Sequence, residues 1–133
     1  MRLSRRSEYA CLALIELSAT QEEGFVKVRE LAERKEIPRE FLVQILLRLK
    51  NAGYVRSARG AAGGYQLAKS PGQITVAEIV RLMDGALAPV GSVSQFFYDH
   101  TPIEKSPKLV RLFTKIRDYV AKTLEKTTFQ DLA

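Results

Sequence analysis

The chain has 133 residues, 46% of them hydrophobic and 27% charged. That composition suits one soluble domain with a modest core and excludes a disordered chain. No stretch approaches the roughly 20 apolar residues of a membrane span, so no membrane partner is expected. Lys and Arg number 21 against 15 Asp and Glu, a net charge of +6. Residues 1–64 hold 12 of the basic and 8 of the acidic residues, so a polyanion site is expected there.

The chain opens with basic residues and an apolar run, "MRLSRRSEYACLALIELSA", which mimics a secretory leader. Glu8 and Glu16 interrupt and end that run, so it reads as a helix over residues 4–19 of a cytoplasmic protein. The single cysteine, Cys11, rules out an intrachain disulfide and fits a reducing compartment. The helix is apolar most of the way round, which places it between other elements or between two chains. Gly24 breaks the chain after it.

Val28, Leu31 and Ala32 then give a short helical stripe, interrupted at Ile37 and Pro38. Pro38 suits the first turn of a new helix, where its missing N–H is not needed. Phe41, Leu42, Ile45, Leu46 and Leu49 repeat at helical spacing, and Gly53 fits the position after the helix end. A short helix, a tight turn and a longer helix make a helix-turn-helix pattern. Next, "YVRSAR", "GAAGG" and "YQLAK" predict a β-hairpin with a glycine-rich tip, in the place of a wing.

Thr75 and Glu78 have the spacing of a capping box ahead of a helix that Gly85 stops. Between residues 86 and 107 the pattern is weak, with "VSQFFYD" as a candidate short helix. Residues 108–126 form a long amphipathic helix whose apolar side holds Leu109, Leu112, Phe113, Ile116, Tyr119, Val120 and Leu124. Such a stripe packs on its own domain or on a second copy. Thr127 and Thr128 end it, leaving "FQDLA" as a short tail.

The glycine-rich tip lacks the Lys and following hydroxyl of a Walker loop, and strand-like alternation resumes after it where a dinucleotide loop would open a helix. Its place behind a helix-turn-helix points to DNA. Arg59, between Ala58 and Gly60, is suited to a narrow minor groove, with Gly63 and Gly64 keeping the hairpin slim. One histidine and no recognisable nucleophile or carboxylate frame leave no basis for an enzyme.

Three segments, "MRLSRRSEYACLALIEL", "ELAERKEIPREFLVQILLRLKNAGYVRSARGAAGGYQLA" and "ITVAEIVRLMDG", resemble the Rrf-two-type transcription regulators, bacterial winged-helix dimers. The likeness is close to about residue 85 and looser over the last helix, and Ser57 to Leu67 carries a specific motif of that family. The resemblance implies a mainly α fold with a β-hairpin wing and a long C-terminal dimerisation helix. Residues 1–85 would be the DNA-binding domain, its first helix also in the dimer interface. Residues 86–133 would hold the effector segment and the dimerisation helix.

The resemblance further implies that the helix from Pro38 enters the major groove of double-stranded DNA with Arg39, Glu40, Val43 and Gln44. Arg39 suits guanine or phosphate, Gln44 adenine and Glu40 a cytosine amino group. Ser4, Arg5, Arg6 and Tyr9 match the family's phosphate-holding helix start. Sensor members carry three cysteines after the "VRLMDG" helix; this chain has none there. It therefore resembles the branch without an iron–sulfur cluster, and no cofactor is expected. The expected function is a homodimeric repressor answering to a small molecule or a protein. A redox or metal sensor using Glu8, Cys11 or His100 is the alternative, and an adaptor that has lost DNA binding is a third reading.

Overall fold

In a computed structural model, which describes residues 2–133, six α-helices and a projecting two-stranded hairpin are built on a main core and a smaller cluster of Ala77, Val80 and Leu87. Helix α1 (Arg5–Ala19) is the central element. Its buried face, Ala10, Ala13, Leu14 and Leu17, is small enough for neighbours to approach closely, and α2, α3, α4 and α6 all pack against it. Helices α2 (Val28–Lys35) and α3 (Arg39–Asn51) form the helix-turn-helix. Leu31, Ile37, Leu42, Ile45, Leu46 and Leu49 line its inner side, each nearly inaccessible to water.

The turn between them is made at Glu36, the only non-glycine residue with a positive φ among those described, at 53°. Pro38 caps α3 just outside its first turn. Arg34 fastens α2 to the rest. It reaches Glu16 of α1 at 3.0 Å, Glu23 at 3.1 Å and Glu30 at 3.4 Å.

The expected wing is present as β1 (Val55–Ala58) antiparallel to β2 (Gly64–Leu67), with Val55 opposite Leu67 and Ala58 opposite Gly64. Val26, ahead of α2, adds a single rung to its outer edge: Val26 N–H donates to Tyr65 O and Tyr65 N–H to Val26 O, both at 2.8 Å. Helix α4 (Val76–Asp84) starts at the Thr75–Glu78 capping box, with both reciprocal bonds formed, and ends at Gly85, φ 85°.

Three details differ from the sequence reading. The candidate helix at "VSQFFYD" does not form; 3-10 turns at Gly91–Val93 and Pro102–Lys105 stand on either side. Ser94 Oγ accepts the Phe97 N–H at 3.0 Å and Gly91 O accepts the Asp99 N–H at 3.1 Å, so local bonds replace a helical ladder. Helix α5 begins at Pro107, one residue earlier than expected, because Ser106 caps it. Its stripe is split. Ala121 is buried and Leu124 packs on Ala77, Val80 and Leu87, whereas Leu109, Leu112, Ile116 and Tyr119 are exposed. Phe113 and Val120 are half-buried.

Third, "FQDLA" is no loose tail. Helix α6 (Phe129–Leu132) has its own capping box at Thr128 and Asp131. Thr75 and Thr128 form an antiparallel bridge, with Val76 N–H donating to Thr127 O at 2.9 Å and Phe129 N–H to Ile74 O at 3.0 Å. This zipper carries Phe129 into the main core, where it is fully buried, its helix packed on α1 and on the turn at Pro71–Gln73. Phe129→Ala is expected to lower the unfolding free energy by about 3–5 kcal/mol, read from urea denaturation of the full chain; a loss below about 1 kcal/mol would place Phe129 outside the cooperative core.

Candidate nucleic-acid interface

The exposed side of α3 carries Arg39, Glu40, Val43 and Gln44, all open to solvent, with Phe41 exposed beside them and Leu42 buried between them. This alternation follows from the helical repeat: Leu42, Ile45, Leu46 and Leu49 face the core, so the intervening positions, Val43 and Leu47 included, face out. Two grooves flank the helix. One side is lined by Arg39 together with Lys27, Arg29, Arg59, Gly60 and Gly64, a basic trough between the helix-turn-helix and the wing. The other is lined by Arg6, Glu40, Gln44 and Arg48 over an apolar floor that includes Phe41 and Leu47.

Arg59 sits just beyond the last pair of the hairpin, on its exposed tip. Gly60 takes a φ of 93° with open space where a side chain would project. Gly63 and Gly64 do something else. Both point inward: a Cβ at Gly63 would strike the Ala58 carbonyl, and one at Gly64, φ 134°, would strike the Val26 carbonyl. The wing itself therefore requires glycine at both, to let three backbone segments approach.

At the start of α1, Arg5 and Arg6 are exposed, and Arg5 pairs loosely with Glu8 at 3.8 Å. Tyr9 is half-buried and meets Phe41 edge to face, ring centres 5.4 Å apart, so it also braces α3. Ser4 is engaged inside the fold. Its Oγ accepts the Ser7 N–H at 3.1 Å and donates to the Asp84 carboxylate, which also accepts the Ser4 N–H at 3.1 Å. Asp84, at the end of α4, thus lies against the N-terminus of α1 and is stabilised by its unpaired amides.

Sequence reasoning missed Lys27, Arg29 and Asp84. The two basic residues stood in the charge excess of the first half but belonged to no motif. Asp84 is 80 positions from Ser4, and only the fold joins them.

The three candidate sensing residues do not converge. Glu8 faces Arg5, and His100 pairs with Glu104, which also accepts from the Tyr98 hydroxyl. The Cys11 thiol is pushed up to about 11, first by burial and then by the negative charge of Asp84. Without a metal it is therefore neutral near pH 7. Among the described residues, no group of three or more His, Cys, Asp or Glu side chains is placed to hold a metal ion.

The Asp84 carboxyl is held below its ordinary value of 3.8. Burial acts to raise it, but the Ser4 side-chain and backbone bonds and the charge of Arg6 outweigh that. A depressed carboxyl stabilises the fold above its unfolded value and loses that contribution as pH falls through its folded value. Asp84→Asn should therefore melt below the parent protein at pH 7, and the gap should close on acidification below pH 3.8. Parallel melting curves at every pH from neutral to acid would exclude this link between α4 and α1.

The comparisons agree with this architecture. The profile of the Rrf2 family, described as an iron-dependent transcriptional regulator, matches residues 3–133. The HTH-type transcriptional regulator CymR of Bacillus subtilis is 34% identical over 133 residues, covering 100% of this chain and 90% of that protein. The HTH-type regulator IscR of Cronobacter sakazakii is 38% identical over 84 residues, which are 63% of this chain and 52% of its own. The solved structure of CymR, the global cysteine regulator of B. subtilis, superposes with a TM-score of 0.81 at 33% identity, covering 100% of this chain and 96% of that one. That of T. potens IscR gives 0.77 at 29% identity, covering 99% and 85%. With its helix-turn-helix, wing and full-length match, the chain belongs to the Rrf2 family of winged-helix, DNA-binding transcription regulators.

Proposed function

We propose that this regulator is a cytoplasmic, homodimeric repressor that reads its operator without an iron–sulfur cluster. The observation that carries the DNA-reading part is the shared trough: Arg59 of the wing and Arg39 of α3 line one basic groove, with Gln44 exposed further along the same helix. In this reading α3 enters the major groove, where Arg39, Glu40, Val43 and Gln44 meet base edges. The wing follows the adjacent minor groove, where negative potential draws in Arg59. Pro38 starts the helix, and Gly60, Gly63 and Gly64 keep the wing thin. Arg5 and Arg6 lie against phosphates, which position the protein without reading sequence. Ser4 and Tyr9 act there through the fold, setting the start of α1.

The homodimer reading is supported by the exposed stripe of α5. Leu109, Leu112, Ile116 and Tyr119 recur at helical spacing on one side, with Tyr119 75% exposed. A 20-residue helix with a single buried residue is poorly covered by its own domain. A second copy of the same helix offers a matching surface, with Phe113 and Val120 at its margin. The family description names iron, but one cysteine, with no converging group of other donors among the described residues, does not suit an iron–sulfur cluster, which is held by several thiolates. The signal is accordingly assigned to a small molecule or a protein, and residues 86–107 are its proposed receiver.

Two measurements test this. Arg59→Ala should weaken binding to a genome-mapped operator by about 2–6 kcal/mol per dimer, with unchanged melting, since the side chain lies outside the core. Full affinity in a folded variant would remove the wing from the DNA contact. Separately, the pair Leu112→Glu and Ile116→Glu should give monomers by sizing with light scattering at micromolar concentration. A monomeric parent protein would overturn the dimer.

A further inference from the structure

We propose that Lys27 is a positioning residue for Arg59, tying the wing tip to the helix-turn-helix through the Gly60 carbonyl. The inference rests on the wing reading above. Lys27 is the cap residue of α2, and its neighbour Val26 is fixed by two main-chain bonds to Tyr65. From that anchored root the side chain crosses the hairpin, and Lys27 Nζ donates to Gly60 O at 2.6 Å. The same carbonyl accepts the Gly63 N–H at 3.0 Å, so both of its lone pairs are used.

The tip needs such a tie. The β1–β2 ladder has four residue pairs and ends at Ala58 and Gly64. Beyond it, residues 59–63 are exposed apart from Gly63. The Val26–Tyr65 rung braces the hairpin lower down but does not reach residues 59–63, and two strands alone are marginal in water. An arginine carried on a swaying tip must be ordered when it binds, and that ordering subtracts from affinity. A bond made at Gly60, the residue next to Arg59, orders the tip before DNA arrives. Lysine suits the task because its stem spans the gap, and its ammonium keeps two further donors and its charge in the basic trough.

The competing account is that Lys27 touches a phosphate directly. A double-mutant cycle separates the two. Operator affinity is measured for the full chain, for Lys27→Met, for Arg59→Ala and for the double variant, over a range of salt. Thermal melts are matched, and amide hydrogen exchange is followed at Gly63. Lys27→Met is expected to lower affinity about 3- to 10-fold when Arg59 is present. In the Arg59→Ala background the effect should fall below about twofold. Gly63 exchange should quicken without DNA, and melting should hold.

Equal losses in both backgrounds, with a salt slope reduced by about 0.9 per subunit, would make Lys27 a phosphate contact and overturn the proposal. Unchanged affinity for Lys27→Met beside a weakened Arg59→Ala would also overturn it while leaving the wing reading intact. If Arg59→Ala itself binds normally, the wing reading fails and the tie falls with it.

Discussion

The arrangement of this molecule turns on two main-chain hydrogen bonds between Val26 and Tyr65, each 2.8 Å long. They join the segment entering the helix-turn-helix to the outer strand of the wing. The two parts that would meet DNA therefore share one rigid frame instead of being linked by a loop. Gly64 is the condition for this, because any side chain there would collide with the Val26 carbonyl. The distance from Arg39 to the wing tip is set through this contact. So is the trough where Lys27, Arg29 and Arg59 gather.

A second constraint works from behind. α1 has a small-residue face of Ala10 and Ala13, fully buried, on which α3, α4 and α6 converge. Arg34 holds α2 to this helix through Glu16, and Asp84 holds the end of α4 to its beginning. The end of α4 leads through Gly85 into residues 86–107, where Arg81 lies over the Phe96 ring at 4.8 Å and bonds Glu125 of α5 at 2.7 Å. The proposed receiving segment is thus mechanically adjacent to the helix whose start flanks the proposed DNA-reading surface.

What the sequence made legible was local. The repeat of Leu42, Ile45, Leu46 and Leu49, the cap at Thr75, and the stops at Gly53 and Gly85 each depend on neighbours within a turn or two. The glycine-rich hairpin, with Arg59 on its tip, was legible for the same reason. What was not legible arises between distant residues. Val26 joins the wing by a single rung, with no alternation around it to reveal a strand. Phe129 sits in a stretch too short to show a period, and its burial depends on pairing with residues 74–76. At residues 94–99, a run of aromatics read as a helix because propensity ignores the serine bonds that bend it. Lys27 and Asp84 gain their roles only from partners 33 and 80 positions away.

The seating of Phe129 has a consequence for how the protein comes to exist. The N-terminal two-thirds contain every residue proposed to face DNA, yet the core beneath them lacks Phe129 until residue 129 arrives. During synthesis, domains ordinarily settle in order from the N-terminus. Here the first part to emerge must wait for almost the last. A chain stalled before that point leaves a hole lined by α1 and is exposed to proteolysis, even with its helix-turn-helix and wing already made. The fold thereby ties completion of the core beneath the helix-turn-helix and the wing to translation past the long helix.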